Sequence, residues 1–197
     1  HLCDRRQRQM CIRDRSYVSR LLRADGINVY DTDAEAKRLM LSHPSIRKDL
    51  IGLLGEDVYL DGRLNKPLLA SYLFASSGNA ARINGIVHPR VKEDFLSWAS
   101  RQEPGPVVLE SAILFESGFE DVVDKVIMVY APLDVRIRRV MGRDHATREQ
   151  VESRIAAQMS DEEKVRRADF VIMNDGKREL QPQLSVLYDA LALKRLR

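Results

Sequence analysis

The sequence predicts an α/β protein of three layers, with helices packed on both faces of a parallel sheet and a helical lobe inserted beside it. Three observations carry this. Val126 to Tyr130 is a run of five apolar residues, rich in strand formers and far too short to span a bilayer, which is the pattern of a strand buried on both faces. Short apolar runs recur at 27–30, 107–109, 126–130 and 170–173, separated by stretches of helical periodicity, as βα units in a parallel sheet require. Between the first two runs, roughly 41–103 carries helical patterning and polar turns only.

Residues 1–15 (HLCDRRQRQMCIRDR) have the period of neither helix nor strand, and no glycine. They read as a disordered tail outside the fold. Their wording, QMCIRDR above all, resembles translated adapter read-through, and segments of that kind are excluded from fold reasoning. The domain then runs 16–197. It opens in the middle of an amphipathic helix with Val18, Leu21 and Leu22 on its apolar side and Gly26 past its end. No strand precedes that helix, so one βα unit lacks its β.

Ile27–Tyr30 reads as a strand with the carboxylates Asp31 and Asp33 at its end. Thr32 and Glu35 have capping-box spacing for the helix that follows. Capping explains Thr32; an acid at a strand end can also accept a hydroxyl proton or organise Mg²⁺. In the lobe, 55–62 is a turn region, Pro67 suits the first turn of a helix over 64–74, and His88-Pro89 should kink or break the helix over 79–99. His88 fits such a break as a structural histidine, and Phe95 and Trp98 fit the core.

Pro104-Gly105-Pro106 closes the lobe before the strand at 107, after which Glu110 and Ser111 again put polar groups at a strand end. Ala131-Pro132 stops the strand at 126–130, and Asp134 is placed to cap a helix with Leu133, Ile137, Val140 and Met141 on one side. Arg136, Arg139 and Arg143 form the neighbouring stripe. Such a stripe is either a solvated face or an anion clamp, since guanidinium groups grip phosphate oxygens in pairs. Capping boxes at Thr147/Gln150 and Ser160/Glu163 start two further helices, and a last helix runs 180–193 after Asp175-Gly176.

With 44% hydrophobic and 31% charged residues over 197, one α/β domain with an insertion is the natural size. The net charge of +3 lies in the first fifteen residues, which hold five Arg and two Asp and leave 27 basic and 27 acidic residues beyond them. A neutral body disfavours a nucleic-acid partner. The absence of a long apolar span or secretory segment predicts a cytoplasmic protein without a membrane partner. Cys3 and Cys11 make neither a disulfide nor a metal pattern.

The segments INVYDTDAEAKRL (27–39), DGRLNKPLL (61–69), VHP (87–89), LESAILFESGF (109–119), RIRRVMGRD (136–144), RIAAQMSDEEK (154–164) and ADFVIMNDG (168–176) together resemble the dephospho-coenzyme A kinase family of the P-loop kinase fold. The resemblance implies ATP-dependent, Mg²⁺-assisted phosphorylation of the ribose 3′-hydroxyl of dephospho-coenzyme A, by a protein expected to be monomeric. It gives Asp33 the role of base or orienter at that hydroxyl. Arg139 and Arg143 would lie in a lid over the phosphates (about 134–158), which favours the clamp. His88 and the lobe would hold the coenzyme A side, Leu114, Phe115 and Glu116 would border the substrate, and Asn174 would lie near the adenine. Ser16 matches the Mg²⁺-binding hydroxyl that ends the family's G-x-x-x-x-G-K-[ST] loop. Asp14-Arg15 stands where that loop has Gly-Lys, and no glycine precedes Gly26, so the chain is expected to bind ATP poorly. The alternatives are another small-molecule or nucleotide kinase of this fold, or a kinase-like module without catalysis.

Overall fold

A computed structural model of the chain describes residues 5–9, 12–144, 146–156 and 158–191, with side chains described from Tyr17 onward except those at 74, 77, 143, 144 and 154. The chain divides into two compact units, His1–Asp31 with Gln102–Arg197, and Thr32–Arg101.

The first unit is built on a five-stranded parallel sheet. Its strands are β1 (Arg5–Gln9), β2 (Asn28–Asp31), β5 (Val107–Glu110), β6 (Lys125–Tyr130) and β7 (Phe170–Met173), in the order β2-β5-β1-β6-β7. All four residues of β5 are buried, as are Val126 to Val129 of β6. Both faces of these strands are therefore covered, as the unbroken apolar runs predict. One core joins Val18 and Leu22 of α1 (Ile12–Ala24) to Val108, Ile127, Val129 and Ile172 of the sheet, and to Leu184, Leu187 and Tyr188 of α9 (Leu180–Ala190). The edge strand β7 is tied to α9 by Gln183, whose Nε2 donates to the Met173 carbonyl at 3.0 Å while its Oε1 accepts from the Met173 N–H at 2.8 Å. Those two bonds satisfy edge groups that would otherwise face outward. The predicted continuation of this helix to 193 lies partly outside the described residues.

The sheet differs from the sequence reading at its centre. Residues 1–15 were expected to lie outside the fold, yet Arg5–Gln9 form β1 between β5 and β6, with Gln7 level with Leu109 and Val126. The reason is the backbone. Without a strand there, two buried strands would face each other with bare N–H and C=O groups, each costing about 1–3 kcal/mol. A ladder asks only for main-chain groups, so a segment with no apolar alternation can supply it. Only Met10 and Cys11, outside the described residues, stand between β1 and α1.

In the second unit, α2 (Thr32–Ser42), α3 (Pro44–Leu54), α4 (Lys66–Ala75) and α5 (Ser77–Ser100) pack together. Two features differ from the sequence reading. Of the kink or break expected at Pro89 the break does not occur, and helix α5 continues through it. Ile83, Val87, Val91, Phe95 and Ala99 form a buried stripe at four-residue spacing, and burying each large member contributes about 1.5–3 kcal/mol. That outweighs the roughly 3 kcal/mol a proline costs within a helix. The lobe also has strands of its own, β3 (Tyr59–Leu60) and β4 (Arg63–Leu64), paired antiparallel. Asp61 and Gly62 both have positive φ, 49° and 73°, the two-residue turn that joins such strands.

Candidate active site

The residues singled out in the sequence fall in both units. In the first unit, α6 (Leu133–Asp144) follows β6 directly, and its arginines take different environments. The Arg136 side chain is only 7% exposed and pairs with Asp161 of α8 (Asp161–Arg167). It is a structural cation, not part of a solvated stripe. Arg139, one turn on, is half-buried, and its Nη1 donates to the Asn174 carbonyl at 3.0 Å. Arg143 belongs to α6, but its side chain lies outside the described residues, as does that of Ser16 in α1. On the apolar side Ile137 and Val140 are buried while Leu133 and Met141 are exposed. Ile137 and Val140 form a small core with Val151, Ala146 and Ile155, shared with α7 (Arg148–Ala156) and separate from that of the sheet. Asp134 sits in the first turn of α6 instead of capping it, 3.6 Å from Arg148. The box at Thr147/Gln150 forms reciprocally, at 3.1 and 3.3 Å.

Asn174 is 9% exposed, and its N–H donates to the Tyr130 carbonyl at 2.7 Å, extending the β6–β7 ladder. The turn after it is fixed by Asp175, whose Oδ1 accepts from the N–H groups of Arg178 and Lys177, both at 2.9 Å. These two bonds, Arg178 first, hold the carboxyl below the usual carboxylate range. Gly176 has φ +81°, and a Cβ there would stand 3.1 Å from Arg139 Nη2. Sequence reasoning took Gly176 for a turn residue and missed its approach to Arg139.

The segment after β5 is also occupied. Leu114 is fully buried, and Arg167 lies over the Phe115 ring at 4.1 Å. Glu116 Oε1 accepts from the Met159 N–H at 2.8 Å and stands 3.8 Å from Nζ of Lys164. Arg167 also donates to Glu120 at 2.6 Å. Glu110, 1% exposed at the end of β5, is level with Asp31 at the end of β2. Among the described residues no group of three or more side chains could hold a metal by itself. A Mg²⁺ ion carried on nucleotide phosphates needs only one or two protein oxygens, which is the kind of donor Asp31 and Glu110 offer.

In the second unit, Asp33 lies in the first turn of α2 and His88 in α5. Burial lowers the His88 imidazole below its ordinary 6.5, and the Asp33 carboxylate opposes the shift. The two therefore share one electrostatic neighbourhood within this unit. Arg38 holds α2 to α5 by pairing with Glu35 and with Asp94, the latter at 2.8 Å. The Tyr59 hydroxyl donates to the Met40 carbonyl at 2.6 Å beneath the Arg47 guanidinium, 4.0 Å from its ring. Among the described residues no helix is long and apolar enough to cross a membrane.

A phosphate-handling site asks for fixed cations near the carboxyl ends of parallel strands. Arg139, pinned beside Asn174 at the ends of β6 and β7, has that placement. A family model described as CoaE, dephospho-CoA kinase, matches residues 13–179. A dephospho-CoA kinase of Bacteroides fragilis is 54% identical over 171 residues, 86% of this chain and 83% of that protein. One from Porphyromonas gingivalis is 39% identical, covering 92% of this chain and 90% of that protein. The crystal structure of TT1252 from Thermus thermophilus superposes with a TM-score of 0.80 at 34% identity, over 95% of this chain and 96% of that one. This α/β chain belongs to the dephospho-CoA kinase family.

Proposed function

We propose that the site serves the reaction its family is named for, transfer of the ATP γ-phosphoryl group to the ribose 3′-hydroxyl of dephospho-coenzyme A. The observation that carries this is the bond between Arg139 and Asn174. These residues are 35 positions apart, and the resemblance assigns both to the nucleotide. Phosphoryl transfer depends on positioning and on neutralising charge at the phosphoryl oxygens. Arg139, with Arg143 on the same helix, supplies the cation, and Asn174 borders the adenine. Asp33 orients the acceptor hydroxyl or takes its proton, with His88 beside it on the coenzyme A side. Leu114 and Phe115 shape the segment bordering the substrate. Mg²⁺ bound with ATP would screen the phosphate oxygens, held by Asp31, Glu110 or the Ser16 hydroxyl. The protein acts as a cytoplasmic monomer.

The two residues between β1 and α1 are too few for the family's phosphate loop, so weak turnover is expected of the present chain. Replacing residues 1–15 by the corresponding segment of the Bacteroides fragilis relative should restore it. The test is product analysis with Mg-ATP and dephospho-coenzyme A, shikimate or a nucleoside monophosphate in parallel. Formation of coenzyme A, cut about 10²–10⁴-fold by Asp33→Asn with nucleotide affinity retained, supports the reading. Preferential phosphorylation of another acceptor by the restored chain sinks it.

A further inference from the structure

We propose that Glu116 is a positioning residue, a latch holding the return end of the α6–α7 hairpin to the segment after β5 and thereby setting where α6 presents Arg139. This rests on the phosphate-handling reading of Arg139. It departs from the substrate contact that the resemblance implies for Glu116.

The hairpin has its own core of Ile137, Val140 and Val151, so it can move as a body unless its roots are held. One root is fixed by the buried pair of Arg136 with Asp161. At the other, Glu116 Oε1 accepts the Met159 N–H at 2.8 Å. The same oxygen stands 3.8 Å from Nζ of Lys164, whose side chain is 4% exposed and donates to Gln158 Oε1 at 3.4 Å. One carboxylate thus grips residue 159 through its backbone and residue 158 through a buried ammonium. An ammonium at that depth needs a nearby negative charge, and a carboxylate bonded to a main-chain N–H cannot swing away without stranding both. Arg167, stacked on Phe115 and bonded to Glu120, keeps α8 on the same segment.

The test is amide hydrogen exchange on the full chain, which needs no nucleotide, in the parent, Glu116→Ala, Glu116→Gln and Glu116→Gln/Lys164→Met. Glu116→Ala should speed exchange about tenfold or more across 146–160, the worth of a charge-assisted hydrogen bond, while β5 and β6 stay protected. Glu116→Gln keeps the acceptor but not the charge and should show a smaller effect, which Lys164→Met reverses by removing the stranded ammonium. In the chain with its restored N-terminal segment, Glu116→Gln should lower kcat with the KM for dephospho-coenzyme A unchanged. Unchanged exchange at 146–160, an equal rise throughout β5 and β6, or a raised KM for dephospho-coenzyme A with exchange unaltered overturns the latch. A restored parent that makes no coenzyme A refutes the kinase reading instead, and the exchange measurement still decides the latch.

Discussion

Arg136 and Arg139 lie three residues apart on one helix in different environments, and Arg136→Met separates the structural role of the first from the nucleotide role proposed for the second. The substitution keeps most of the buried stem and removes the guanidinium that pairs with Asp161. Deleting one member of a buried pair costs about 3–5 kcal/mol, because the other charge is left stranded. Asp161 retains 20% of its side-chain exposure and can recover some water, so the lower end, about 3 kcal/mol, applies. For a chain of this size each kcal/mol lowers Tm by roughly 2–4 °C, which predicts a fall of about 6–12 °C. Thermal melting, paired with Mg-ATP titration of the chain with its restored N-terminal segment, is the assay. Arg136→Met should melt early and bind nucleotide normally when folded. Arg139→Ala should melt close to the parent and bind nucleotide poorly. An Arg136→Met protein that melts with the parent but has lost nucleotide would refute the assignment of Arg136 as a structural cation.

Gly176→Ala meets a left-handed φ of +81° and Arg139 Nη2 at 3.1 Å; the backbone strain alone costs about 1–2 kcal/mol, and an unchanged Tm would show that the turn relaxes freely. His88, with its pKa lowered chiefly by burial, refuses a proton that the unfolded chain accepts. Its contribution to stability is complete above pH 6.5 and is lost as pH falls from there through the folded value. His88→Gln should flatten the decline of Tm on acidification, and a slope equal to the parent's would contradict this.

The strands of the sheet were legible where burial on both faces writes itself as an unbroken apolar run. Lys125–Tyr130 and Phe170–Met173 lie within a residue of the expected bounds. The caps at Thr147/Gln150 and Ser160/Glu163 were legible too, since each needs only residues three apart. The candidate site was legible as residue types in order, but the partners of those residues were not. Nothing near Glu116 in the chain announces Met159, which comes 43 positions later.

By itself, then, the sequence determined the α/β class, the helical lobe and the family, because apolar periodicity, turn chemistry and ordered motifs are local properties of the chain. Only the tertiary structure decided that Arg136 is a buried structural cation while Arg139 meets Asn174, that α5 runs through Pro89, and that Arg5–Gln9 fills the centre of the sheet. In each case the deciding energy is non-local: a carboxylate brought in by another helix, a buried stripe stronger than one proline, and two bare strand edges that any backbone can satisfy.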